Sequence, residues 1–230
     1  RSLRSLIPVS LLCVGAGGVL GPEAPLVTTT GTLASWLGFR NGLDRSDRRV
    51  IAITGMAAGF TVLFGAPLGS AVFALEILHR RGLEYYEALL PAAVGSLCGY
   101  GVASAVAVVG VDPIWTFPAP DHLVPADFAL AVAAGVVGAI VAVAFTYLSI
   151  GLRALADRVP SGTQPAIGGA ILGLLALASP YALTNGELQI DHLTLTGAAA
   201  LTFVVAALPK LVAAAVSMAT GWRGWFFIPL

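Results

Sequence analysis

Two acids fall well inside apolar sequence, Glu23 and Glu76. A carboxylate in hydrocarbon is costly and is a functional candidate by default. Glu23 stands in Gly15-Ala-Gly-Gly-Val-Leu-Gly-Pro-Glu-Ala-Pro25. The glycines permit a tight turn, and Pro25 suits the start of a helix. The spacing therefore predicts a helix beginning just after Glu23, with its unpaired N–H groups close to the carboxylate. Such an end attracts an anion. A carboxylate can occupy that anion site itself or swing away and admit a mobile anion, and protonation favours the open form because a neutral carboxyl no longer competes. The same residue could instead cap the helix and never move. Glu76 closes the run Gly65-Ala-Pro-Leu-Gly-Ser-Ala-Val-Phe-Ala-Leu-Glu76. It is either a proton-path candidate or a solvated or paired structural carboxylate near a membrane surface.

The last residues read Thr220-Gly-Trp-Arg-Gly-Trp-Phe-Phe-Ile-Pro-Leu230. Gly221 and Gly224 break the preceding apolar run, and a further helix is expected to begin near Phe226. Its first N–H groups could face those of the helix at Ala24 and complete an anion cradle. Trp222, Arg223 and Trp225 also fit an interfacial aromatic belt, which spacing alone favours. Cys13 and Cys98 have no metal spacing and read as packed free thiols. No zinc or nucleotide-binding signature is present, and no cofactor or metal is expected. Formal net charge is zero, which offers nothing to nucleic acid.

The elements that must position these residues are membrane helices. Hydrophobic residues make up 57% of the chain and charged residues 10%, and mean hydropathy is +0.90. A soluble chain carries roughly 25% charged residues. The apolar residues come in long blocks with no strand-period alternation, and a lipid-embedded backbone must satisfy itself internally. The expected helices are Leu3–Gly15, Ala24–Leu37, Arg48–Phe64, Pro67–Leu78, Tyr85–Val109, Pro125–Val159, Pro165–Ala178 and Leu195–Ala219. Several are short of the about 20 residues a span needs. Short, Gly/Pro-interrupted apolar segments point to transporters built from broken helices. Arg40, Arg45, Arg48 and Arg49 share one loop, Arg80 and Arg81 a second, and Arg153 and Arg158 a third. Loops 110–125 and 179–194 carry no Lys or Arg, so the basic loops are placed in the cytoplasm.

Three segments taken in order resemble one family. Gly21-Pro-Glu-Ala-Pro25 is similar to the Gly-Lys/Arg-Glu-Gly-Pro motif of the CLC chloride channels and proton/chloride antiporters. Gly55 to Glu76, with its Ala-Pro-Leu turn, resembles that family's next helical hairpin. Gly224-Trp-Phe-Phe-Ile-Pro229 is similar to its Gly-x-Phe-x-Pro loop.

The resemblance implies an all-α integral membrane protein of tilted and broken transmembrane helices, an inverted repeat that assembles as a homodimer. It implies a channel-like transporter of chloride or a similar small anion in the lipid bilayer, not an enzyme, in the plasma (inner) membrane. Glu23 is then the gating glutamate, and the anion-binding residues are Gly21, Pro22, Glu23, Ala24, Phe226 and Phe227. Residues 1–230 would be the central part of the membrane domain, a fragment lacking the family's first and last helices. The helix ending near Leu78 and the Tyr85–Val109 helix would contribute to the dimer interface. Gly95, Gly99 and Ala103 have a spacing that permits close helix contact there.

The chain departs from the family pattern at four places. Pro22 replaces a basic residue, Ala24 replaces Gly and narrows backbone freedom, and Trp225 stands where Gly is usual and could crowd the site. Ile77 occupies the place of the antiporters' proton-relay glutamate, while Glu76 matches an acid both branches share. An aliphatic side chain carries no proton, which leans towards passive conduction. A proton-coupled chloride or fluoride antiporter, or a non-conducting degenerate copy, are the alternatives.

Overall fold

The computed structural model describes residues 3–78, 84–106 and 122–225. Nine α-helices are found among the described residues: α1 Leu3–Gly15, α2 Glu23–Arg40, α3 Arg45–Phe64, α4 Pro67–Leu78, α5 Glu84–Val106, α6 Pro125–Ala156, α7 Gln164–Ala178, α8 Glu187–Leu195 and α9 Ala200–Ala219. A 3-10 turn at Pro180–Ala182 follows α7. Among the described residues, three stretches are long and apolar enough to cross a membrane: Tyr86–Val106, Pro125–Ala156 and Ala200–Ala219. At 1.5 Å per residue α6 is about 48 Å long, more than the roughly 30 Å hydrocarbon layer, so it must tilt or project. Its apolar residues are exposed almost throughout, Phe145 being buried, as a lipid-facing helix requires.

The chain divides into two compact units, one comprising residues 1–7 and 22–114, the other 8–21 and 115–230. In the first unit, α2 and α5 both pack on α3. Glycine makes the approach possible. A Cβ on Gly55 would lie 2.6 Å from the Thr30 carbonyl oxygen, and one on Gly95 would lie 2.8 Å from that of Thr54. Gly99 likewise abuts Ala58. Gly95 and Gly99 are thus spent on α3 within the chain, which corrects their expected use at a subunit interface. The unit's centre is filled by Phe60, Phe64 and Phe73. Phe60 and Phe64 stack, and Phe73 meets each edge-on. A hairpin turn joins α2 to α3. Asp44 caps α3, its Oδ1 accepting from the Asp47 N–H at 2.8 Å.

In the second unit, α9 is the hub, packed by α6, α7 and the 3-10 turn. The core there gathers Val19, Phe145, Leu172, Ala182 and Ala213–Ala215. Polar side chains tie helix ends to remote carbonyls. Arg153 Nη1 donates to Ala219 O at 3.1 Å, and Gln164 Nε2 donates to Ala156 O at 2.9 Å and Val159 O at 3.0 Å. The Gln164 amide thus takes up the last carbonyl of α6 and that of Val159 beyond it; α6 stops at Ala156, short of the expected Val159.

The helix expected over Leu195–Ala219 begins later, at Ala200. α8 ends at Leu195, Gly197 has a left-handed φ of 60° and α9 begins at Ala200. Part of the loop expected over 179–194 is helical, and α5 begins one residue earlier than expected, at Glu84. The Arg80–Arg81 loop, the end of the expected 85–109 helix and most of the 110–125 loop lie outside the described residues. Cys98 is exposed on α5, not packed, while Cys13 is half-buried.

Candidate functional site

The turn before Glu23 is built by its glycines. α1 closes with Gly17 N donating to Val14 O at 3.0 Å and Gly18 N to Cys13 O at 2.9 Å, with Gly17 at φ 87°. A Cβ on Gly18 would meet the Trp222 ring at 2.7 Å. The backbone then runs on with Val19 N donating to Ser217 Oγ at 3.4 Å. Gly21 pairs reciprocally with Trp225, at 2.6 Å from Gly21 N to Trp225 O and 3.3 Å from Trp225 N to Gly21 O. Gly224 sits against Leu20, where a Cβ would fall 2.5 Å from the leucine's own. The two loop motifs singled out in the sequence are therefore joined by a backbone bridge at Gly21 and Trp225.

Glu23 lies one step further along than expected. α2 starts at Glu23 itself, with Pro22 at the N-cap position and Pro25 inside the first turn. The cap role falls to Pro22, which has no side-chain acceptor to offer, so the reading of Glu23 as a cap ahead of the helix is corrected. Pro25 is tolerated there because the opening amides of a helix have no carbonyl one turn back. Of those opening positions Pro22 and Pro25 have no N–H at all. The amides remaining at this positive end of the dipole are those of Glu23 and Ala24. Glu23 is fully buried and Pro25 is buried. Ala24 is helical, so alanine in place of glycine costs no special backbone conformation.

Glu76 is exposed near the end of α4, and Ile77 beside it is half-buried. Phe226, Phe227 and the helix expected to start there lie outside the described residues. Trp222 is half-buried. Its ring packs against the second unit's core, and its Nε1 donates to Pro165 O at 3.0 Å. Arg223 N donates to Cys13 Sγ at 3.4 Å.

Sequence reasoning missed Lys210. Its Nζ, on α9, donates to Leu183 O at 2.8 Å and Thr184 O at 2.9 Å. A lone base inside an apolar run was a usable signal.

A carboxylate is buried here in the first turn of a proline-bracketed helix, led in by a glycine turn among short and broken apolar helices, a position where backbone amides favour negative charge. Residues 3–230 match the sequence pattern of the family described as voltage gated chloride channel; the chain belongs to that family. It is 32% identical over 224 residues, 93% of its length, to a chloride/fluoride channel protein of Pseudomonas syringae pv. tomato, of which it covers 48%. Two solved structures share the fold over the whole chain. One is a CLC-type fluoride/proton antiporter at a TM-score of 0.79 and 23% identity, with 63% of that chain covered. The other is a slow cyanobacterial Cl-/H+ antiporter at 0.75 and 18%, with 55% covered. The chain is thus an integral, multi-pass membrane protein of CLC fold, spanning about half the length of such relatives.

Proposed function

We propose that this chain carries the gating half of a pathway for chloride or a similar small anion, with Glu23 as the gate. The observation that carries the reading is the full burial of Glu23 in the first turn of α2. Ionised, its side chain competes with a mobile anion for the amides of Glu23 and Ala24. Neutral, it does not, and the anion passes. The backbone of Gly21 and Pro22 leads into this position, and the amides of Phe226 and Phe227 complete the anion's shell. Transport is by conduction through each of two such subunits in a homodimer within a cell membrane, not by enzyme catalysis.

The test is Glu23→Gln in the full-length protein reconstituted in liposomes. Glutamine mimics the neutral carboxyl at nearly constant volume. The expected outcome is a folded protein with raised anion flux that has lost most of its pH dependence. An unchanged pH profile would refute the gate and leave packing as the role of the turn.

A second reading, proton-coupled exchange of chloride or fluoride, rests on the carboxylate of Glu76, exposed near the end of α4. Against it stands Ile77, which carries none. Recording proton movement in the same liposomes separates the two, because only exchange lets a proton gradient drive uphill anion uptake.

A further inference from the structure

Lys210 is a base in a span-length apolar helix, with nothing in the proposed gate to account for it. It takes part in a short chain of hydrogen bonds, all within the second unit. Two successive carbonyls, of Leu183 and Thr184, converge on its ammonium at 2.8 and 2.9 Å. Thr184 is the one non-glycine residue with positive φ among those described, at 65°. Such a conformation persists only where the surroundings over-determine it. Here it is fixed from three directions. The lysine holds the Thr184 carbonyl, Gln189 Nε2 donates to its Oγ1 at 3.0 Å, and its own N–H donates to Gly17 O at 3.2 Å. The lysine stem passes over Gly186, where a Cβ would lie 3.0 Å from Cε.

The far end of this chain is the glycine turn that leads into Glu23. Gly17 is held by Thr184, and the Leu183 side chain fits where a Gly17 Cβ would stand, at 3.3 Å. Two residues on, Val19 is held by Ser217 from the same helix α9 that carries Lys210. The turn is therefore fastened to α9 twice, directly through Ser217 and indirectly through Lys210. The cavity of about 470 Å³ beside Lys210 is lined by residues such as Phe145, Tyr181, Gln189 and Phe203, with no carboxylate among them. Glu187, the acid that opens α8, is engaged by Asn185 Nδ2 at 3.0 Å. Among the described residues the ammonium's bonds are those to the two carbonyls.

We infer that Lys210 is a positioning residue for the gate: by fixing the Leu183–Thr184 carbonyls it holds Gly17, and with Gly17 the turn that delivers Glu23. This rests on the gating reading of Glu23. Methionine at position 210 keeps the stem and removes the donors, leaving two carbonyls unpaired. In liposomes Lys210→Met is expected to lower anion flux about tenfold, short of the roughly hundredfold that a 1 Å misplacement can cost. It is also expected to displace the pH midpoint of flux. Lys210→Arg, which retains donors to span both carbonyls, is expected to restore both.

A readout independent of transport uses Cys13, whose carbonyl accepts from Gly18 in this turn and whose thiol accepts from Arg223 N beside it. In a Cys98→Ser background, alkylation of Cys13 is expected to quicken in Lys210→Met and return to its original rate in Lys210→Arg. If the methionine variant does not fold, Lys210→Gln, too short to reach both carbonyls, takes its place with the same expectations. Wild-type flux and pH profile in the variant overturn the inference, whether or not Cys13 labelling changes, and so does failure of arginine to restore them. A pH profile unaltered by Glu23→Gln refutes the gate instead. Cys13 labelling then still decides whether the tether exists.

Discussion

The two units hold their helices together in different ways. In the first, α3 meets α2 and α5 through backbone faces stripped of side chains at Gly55, Gly95 and Gly99, and aromatic rings fill the remainder. In the second, the glycines of α6 at 135, 138 and 151 would meet nothing on gaining a Cβ. Long polar side chains there reach across to carbonyls instead: Arg153, Gln164, Lys210 and Trp222. Both are answers to one problem. Lipid tails are as apolar as leucine, so burying leucine against leucine drives no association. Close van der Waals contact and interhelical hydrogen bonds must do it. A seam of glycines gives contact over a broad face. Polar ties fix particular points, and the turn that leads to Glu23 is fixed in that second manner.

If the contrast is right, the largest effect comes from the seam. Gly95→Leu places a branched side chain into the Thr54 backbone and forces α5 off α3. Overpacking of this kind is expected to cost about 3 kcal/mol or more. Gly101, on the same helix, has open space around it. Gly101→Leu should stay within about 1 kcal/mol of wild type, with helix propensity acting in its favour. Thermal unfolding in detergent compares the pair. Equal losses at 95 and 101 would break the distinction between a packed and a lipid-facing row.

An intermediate effect separates packing from polar ties in the second unit. Trp222→Ala removes a half-buried ring from Gly18 and Gly169 and also the bond to Pro165 O. A fully buried tryptophan would cost 3–5 kcal/mol, and this one about 2. Trp222→Phe keeps most of the ring and gives up only the bond, for about 1 kcal/mol. Should phenylalanine prove as damaging as alanine, the tie outweighs the packing; should it prove silent, the second unit is held by contact after all.

How far the sequence foretold this depends on the residue. α1 and α4 have the bounds expected, because Gly15 and Pro67 punctuate them unambiguously. The class of protein, the motif order and the burial of Glu23 also follow from apolar runs and their interruptions. The register of α2 did not. Proline is tolerated throughout the opening turn, so Pro25 marks a helix start only to within a residue or two. The late start of α9 is hidden because Ala198 and Ala199 ahead of it continue its apolar run. The partner of Gly95 and Gly99 is a matter of tertiary packing that linear spacing cannot choose. Lys210 was overlooked because attention fell on intramembrane acids, while the physical argument applies equally to a base.

The smallest effect belongs to the aqueous edge of the first unit, where its polar ties are exposed. Asp44 caps α3 from the α2–α3 turn, its Oδ1 accepting from Asp47 N at 2.8 Å and Ser46 Oγ at 2.9 Å. The backbone hydrogen bond from Asp47, then that from the Ser46 hydroxyl, holds its carboxyl below the ordinary aspartate value. The folded chain therefore binds this proton less readily than the unfolded one. The stabilisation is complete above the unfolded value, about pH 4, and disappears as pH falls through the folded value. Asp44→Asn keeps a side-chain oxygen for the cap but has no proton to take up. At neutral pH it should melt close to wild type, with Asp44→Ala somewhat lower. As pH drops below about 4, wild type should lose melting temperature faster than the asparagine variant and approach the alanine one. Melting curves for the three between pH 7 and pH 3, taken in one detergent, decide it. Parallel acid losses in wild type and Asp44→Asn would mean that the cap's charge contributes nothing. The polar ties at the water-facing turn would then count for still less beside the glycine seam.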